Sequence, residues 1–279
     1  MPKISRAEAN RKIKQILGKI DKMDKNLVKD VIKDLKALRN DVQLSLTSAG
    51  DFESRNLTAI LSQIERATEN FKAKLSAQTG VSQTTAWELG QNTINTAINS
   101  AVATGEGLLP LLSNSQLLAM QTGTMDLISD VSDSMKSKIR NEIRRATLGG
   151  QSAYNTMQNI DRIIGISKEE GITKKAEDIA RTEMSRVFNT ASFLRTKQSE
   201  EAGIKMLKWW LTAGDERVRD DHKQAGLDYS EENAIPSEEP FDVGGEKLMY
   251  PGDPLASAKQ AVNCRCKAIY IASPESEMI

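Results

Sequence analysis

The chain has a single histidine, His222, and two cysteines, Cys264 and Cys266. An imidazole and two thiolates make a normal zinc set. The pattern supplies no fourth ligand; Asp215, Asp220, Asp221 or water could complete it. One metal shared by cysteines a single residue apart asks for a turn at that point. The competing reading is a pair of small thiols packed beside an aromatic strand. Apart from this zinc no cofactor is expected. One histidine excludes the His-Glu-x-x-His hydrolases and His-pair nucleases, and no Gly-rich phosphate cradle of the Walker or dinucleotide type occurs.

Three charged constellations remain. Arg181-Thr182-Glu183 falls inside a long helical pattern, and Glu183, four residues from both Ile179 and Val187, sits on or beside the apolar face. A carboxylate there needs a charged partner: Arg186 one turn on, or Arg217 or Arg219 from the following segment. Catalysis by Glu183 would require a second positioned acid or base, and no motif provides one. In Asp215-Glu216-Arg217-Val218-Arg219 the arginines are two apart, on one face of a strand or different sides of a helix. The acidic residues around them favour internal salt bridges over phosphate binding. Near the N-terminus Arg11, Lys12, Lys14 and Lys19 could meet DNA phosphates, but Asp21, Asp24, Asp30 and Asp34 among the later lysines equally describe the solvated flank of a partner helix.

The elements that must position these groups are mostly helical. Ile13, Leu17, Ile20, Leu27, Val31, Leu35, Leu38 and Val42 recur at steps of three, four or seven, which predicts one long amphipathic helix. A turn is expected at Ser48–Glu53. A second stripe, Leu57, Ile60, Leu61, Ile64, Ala67, Phe71 and Leu75, folds back on the first as a hairpin or coiled-coil-like pair. Residues 79–82 read as a break before a third helix over Trp87–Ala103. That helix is nearly uncharged, as either a helix packed in an oligomer or the buried centre of one chain would be. A loop at Gly105, Gly107 and Pro110 precedes helix over Ser115–Ala146, stopped at Gly149-Gly150.

This stop is the expected boundary between a helical arm, 1–149, and a compact module, 150–279. In the module a short helix and a turn at Gly165–Gly171 lead to a helix over Thr173–Gly203. Lys205–Thr212 and Lys267–Ala272 read as strands, and Tyr250-Pro251-Gly252-Asp253-Pro254 as turn chemistry. The expected fold class is α+β, a long helical arm followed by a mainly helical module with a small mixed sheet.

Lys and Arg together number 38, as do Asp and Glu, so no global charge excess names a nucleic acid as partner. The balance is uneven: Met1–Val42 holds twelve basic against six acidic residues, and Asp215–Ile279 seven against fourteen. No apolar run approaches the roughly 20 residues of a membrane span, so no membrane is expected. Two closely spaced cysteines do not form a secreted disulfide framework and fit a reducing compartment.

Taken in order, Arg181-Thr182-Glu183, Trp209, Asp215, Arg217, Arg219, His222, Tyr250-Pro251 and Asn263-Cys264-Arg265-Cys266 resemble the Mu F-like minor head proteins of tailed bacteriophages, over residues 150–272. The resemblance implies a structural protein without catalytic residues, made in the bacterial cytoplasm and present in several copies in the virion, inside the capsid or at the portal vertex. It implies the portal protein and the major capsid or scaffold protein as partners, double-stranded DNA as a further one, and a role in head assembly with packaging or ejection of the genome. An enzyme, either a nucleotide-handling transferase or a zinc hydrolase, and a DNA-binding packaging factor are the alternatives.

Overall fold

In the computed structural model the described residues are 4–48, 54–102, 109–149, 151–165 and 171–274. Helices α1 (Arg6–Ser48), α2 (Ser54–Ala101), α3 (Ser115–Gly149), α4 (Ala153–Ile164) and α5 (Gly171–Glu201) come first. Strand β1 (Met206–Leu211), α6 (Asp220–Asp228), β2 (Ile235–Pro236), β3 (Phe241–Val243), β4 (Glu246–Leu248), the single turn α7 (Ala258–Ala261) and β5 (Lys267–Ala272) follow. The fold is α+β.

The chain forms two compact units. One comprises residues 1–24, 82–120 and 181–279, the other 25–81 and 121–180. The boundary expected at 149/150 falls inside the second unit, between α3 and α4. Most of the turn expected at 48–53, and the glycines of the loop after α2, lie outside the described residues.

The second unit is a helical bundle. Leu27, Val31, Leu35, Leu38, Val42, Ile60, Ile64, Phe71 and Leu75 are buried at helical spacing. Gln78 donates to Asp34 at 2.8 Å and Lys74 lies 3.7 Å from the same carboxylate, which ties α2 to α1. Lys136 reaches Glu69 at 3.0 Å and Gln121 reaches the Gly80 carbonyl at 3.1 Å, which runs α3 back along α2. Arg39 grips Asp161 of α4 with both Nε (2.6 Å) and Nη2 (2.8 Å), and Ser152 caps α4 by accepting from the Asn155 N–H.

The break expected at 79–82 is absent: α2 continues through it. Gly80 weakens a helix by only about 1 kcal/mol relative to alanine, and Leu75, Thr79, Gln83, Ala86 and Trp87 keep a buried stripe going past it. The two units nevertheless divide at 81/82. The uncharged stretch beyond is buried within the chain, with Ala86, Trp87, Ile94, Ala97 and Ile98 all at most 2 % exposed. Burial within one chain accounts for the missing charge at these positions.

The first unit packs α5 and the C-terminal part of α2 against two small sheets. Gly90 permits the helices to touch: a Cβ there would lie 2.5 Å from the Phe188 carbonyl oxygen and 2.9 Å from the Ala191 Cβ. The larger sheet has the antiparallel order β2-β1-β5, with Leu207 opposite both Ile271 and Pro236. Along β1, Met206, Lys208 and Trp210 point into the core while Trp209 is half-buried. The β3-β4 hairpin turns through Gly244 and Gly245, both at positive φ (59° and 84°), a two-residue loop that glycine suits. A Cβ on Gly244 would also stand 2.6 Å from an Asp221 carboxylate oxygen. The core of this unit joins Ile13 of α1 and Ile94, Ala97 and Ile98 of α2 to Trp210, Phe241, Tyr250, Cys264, Cys266 and Tyr270. Residues 150–279 therefore do not enclose their own core.

Candidate functional site

Trp210 brings the aromatic core to the site. Its ring is edge-on to both Phe241 and His222, with centroids 5.3 Å away in each case. His222 stands in the first turn of α6 and is 1 % exposed. Its Nε2 lies 2.9 Å from Gln260 Oε1, and its Nδ1 lies 3.5 Å from the sulfur of Cys264 and 3.5 Å from that of Cys266. Both cysteines are buried and reduced. A turn closed by the Cys264 N–H on the Ala261 carbonyl precedes them, with Asn263 in the left-handed region at φ 58°. That turn delivers the segment; the two thiols reach the same nitrogen because they sit two residues apart on a non-helical stretch leading into β5, where alternate side chains share a side.

The thiols also act on each other. The neighbouring Cys266 thiol, together with His222, holds the Cys264 thiol well below its ordinary range. The same contact and burial push Cys266 up. Beside them a small cavity lined by Ala213, Arg217, Val218, Arg219 and Asn263 leaves about 10 Å³ for the centre of a water molecule.

The aspartates considered as a fourth ligand are engaged elsewhere. Asp215 takes both guanidinium nitrogens of Arg265, at 2.7 Å each. Asp221 accepts from Lys259 at 2.9 Å and Gln260 at 3.2 Å. Asp220 is exposed and pairs with Lys223 at 3.1 Å. Arg217 lies 3.7 Å from Asp215 and is largely exposed, while Arg219, the N-cap of α6, donates to the Val262 carbonyl. Arg219 thus ties the start of α6 to the segment preceding β5, while the pair made by Arg217 is local to its own loop.

The Arg265 hydrogen bonds hold the Asp215 carboxyl down to about 2, from 3.8. A carboxylate whose native pKa is depressed adds stability above its unfolded pKa, and that stability is lost as pH falls towards the native value. Asp215 is 31 % exposed, so screening leaves the pair worth about 1 kcal/mol. Melting curves of Arg265→Met should accordingly fall below those of the parent at pH 7, and the gap should narrow below about pH 4. A gap that stays constant down to pH 3 would show that the pair contributes nothing through charge.

The helix residues are positioned as follows. Arg181 approaches Asp24 of α1 at 3.9 Å, and burial raises the Asp24 carboxyl above its usual value. Thr182 Oγ1 accepts the Asn263 N–H at 2.9 Å, pinning the turn before the cysteines to α5. Glu183 pairs with Arg186 at 2.7 Å, and Arg186 also reaches the Gly252 carbonyl at 3.3 Å. Tyr250 stacks on Phe193 with centroids 5.0 Å apart and accepts from Thr190 at 3.3 Å.

Two residues that the sequence did not single out hold this site together. Asn189, fully buried on α5, places Nδ2 within 3.1 Å of the Ser185, Pro251 and Cys266 carbonyls, which share its two N–H donors, and accepts the Ala268 N–H at 3.1 Å. Lys208, also fully buried, donates to the Met249 carbonyl at 2.8 Å and lies 4.6 Å from the Phe241 ring centroid. A polar residue amid the apolar positions of a helix was the available sign for Asn189. For Lys208 it was the charge at an inward position of an alternating strand.

The N-terminal basic residues are not drawn into the site: Arg11, Lys14 and Lys19 are exposed, and Lys12 pairs with Glu8 at 3.0 Å. Among the described residues no helix is long and apolar enough to cross a membrane.

No curated protein and no solved structure matches the chain. Residues 137–269 match the family model described as Phage Mu protein F like protein. That stretch contains α5, β1, His222, the Tyr250 turn and both cysteines, which the contacts above bring together. Over residues 137–269 this chain is therefore similar to the Phage Mu protein F like family.

Proposed function

We propose that the chain is a structural minor head protein of a tailed bacteriophage or prophage, made in the host cytoplasm and built into the virion at the portal vertex. It acts in capsid assembly, in several copies, and takes part in genome packaging or ejection. Its partners are the portal protein, the major capsid or scaffold protein, and the packaged duplex. The Mu F-like match over residues 137–269 is the observation that carries this reading. The family's charged residues support it: Glu183 is spent on Arg186 and Asp215 on Arg265, as a rigid docking body requires. In this reading Arg11, Lys14 and Lys19 of α1 are a contact surface for DNA or a partner.

The test is expression of the full chain alongside the portal, scaffold and major capsid proteins of the same phage or prophage, with capsid intermediates separated by sedimentation. The chain should co-sediment with portal-containing heads, in far fewer copies than the major capsid protein. Glutamate at positions 11, 14 and 19 should reduce its incorporation while changing stability by less than about 0.5 kcal/mol, as exposed substitutions do. Absence of the parent chain from every capsid intermediate, or steady turnover of a substrate by the purified protein, would overturn the reading.

A further inference from the structure

We propose that His222, Cys264 and Cys266 bind one zinc ion, which locks α6 to the segment leading into β5. The three ligand atoms all lie within 4.8 Å of one another, on buried residues. The two N···S distances are both 3.5 Å. A tetrahedral zinc with Zn–S of about 2.3 Å and Zn–N of about 2.0–2.1 Å separates its nitrogen and sulfur ligands by about 3.5 Å.

The hydrogen bonding around the imidazole points the same way. Gln260 Nε2 donates to Asp221 at 3.2 Å, which turns Oε1 of the same amide towards His222. Oε1 can only accept, so Nε2 of the ring carries the proton and Nδ1 presents a lone pair between the two sulfurs. An outer hydrogen bond that sets the tautomer and aims the ring is the usual support of a metal-binding histidine. Simple packing of two thiols does not call for an imidazole aimed in this way.

Charge fits as well. Two thiolates neutralise a divalent cation, so the loaded centre places no net charge in the aromatic core, whereas a free thiolate would. Zinc prefers four ligands, and the small cavity beside Arg217 and Arg219 has room for about one water to serve as the fourth. Asp215, Asp220 and Asp221 need not move. The ion joins ligands 42 and 44 positions apart in sequence, across a region whose sheets are only two and three strands wide.

The test uses the full chain, purified under reducing conditions without chelator. Zinc by elemental analysis should be ~1 equivalent per chain. After removal of the metal, titration with cobalt(II) alone should give the sulfur-to-metal charge-transfer band and the visible bands of a tetrahedral site. These should saturate at ~1 equivalent and vanish on addition of zinc. Cys264→Ser and His222→Gln should each lose stoichiometric binding, and chelation should lower the melting temperature of the parent. No variant has to fold for the proposal to fail. A parent chain with native circular dichroism and two titratable thiols that takes up neither metal would overturn it, and so would one isolated metal-free with a Cys264–Cys266 disulfide.

Discussion

Asn189→Leu should lower the stability of the folded chain by about 3–5 kcal/mol, because it strands several buried backbone groups at about 1–3 kcal/mol each. One amide serves three partners outside its own helix: the Pro251 and Cys266 carbonyls and the Ala268 N–H. The last is decisive for the sheet. β5 lies at the edge of its sheet yet is buried at all six positions, so the outward N–H of Ala268 has no water to turn to and relies on Asn189. Leucine matches the volume and replaces none of these bonds. Urea denaturation of parent and variant measures the difference. Thr190→Val, which removes only the hydroxyl contact with Tyr250, should cost about 1 kcal/mol. If the two variants lose equal stability, Asn189 does not join α5 to β5 and the Pro251 turn.

Lys208→Met should stabilise the protein at neutral pH by roughly 1–2 kcal/mol, the opposite of what deleting a charged hydrogen-bond donor usually does. Desolvation in the core lowers the Lys208 ammonium from 10.5 to about 8. The unfolded chain keeps the proton up to about 10.5 while the native chain releases it near 8, so between those values the unfolded state binds more protons and native stability rises with pH. Below about pH 8 the cost of the buried charge is present in full, about 3 kcal/mol for such a shift. The lost bond to Met249 and the contact with Phe241 return part of this. The advantage of the variant should therefore be largest at pH 7 and shrink by up to about 3 kcal/mol by pH 10.5. Melting curves of both proteins across that range decide the matter. A variant less stable at pH 7, with a gap that does not move with pH, would mean that Lys208 is held by its contacts and not penalised for its charge.

Much of the architecture was readable one residue at a time. The apolar stripe from Ile13 to Val42 and the stop at Gly149 follow from periodicity and glycine chemistry, both local properties of the chain. The strands at Met206–Leu211 and Lys267–Ala272 were visible for the same reason. The Gly80 region misled because a local helix-weakening residue was weighed without the burial on either side of it, and burial is a property of the assembled fold. The boundary expected at Gly149-Gly150 rested on punctuation in sequence. The compact units instead exchange chain at 24/25, 81/82, 120/121 and 180/181, because a long helix can serve one core with one end and another core with the other.

For the site the division is sharper. Sequence alone named His222, Cys264 and Cys266 as potential ligands, Glu183 as a carboxylate in need of a charged partner, and Asp215, Arg217 and Arg219 as charges expected to pair internally. Those statements follow from side-chain chemistry, which does not depend on where a residue ends up. Only the tertiary structure decided that Asp215 meets Arg265, that Thr182 holds the turn at Asn263, and that Trp210 rather than Trp209 faces His222. It alone revealed Asn189 and Lys208 as buried, since nothing local forces an amide or an ammonium inward. Those roles depend on which groups the fold leaves without water, and that is settled when segments far apart in the chain close one core.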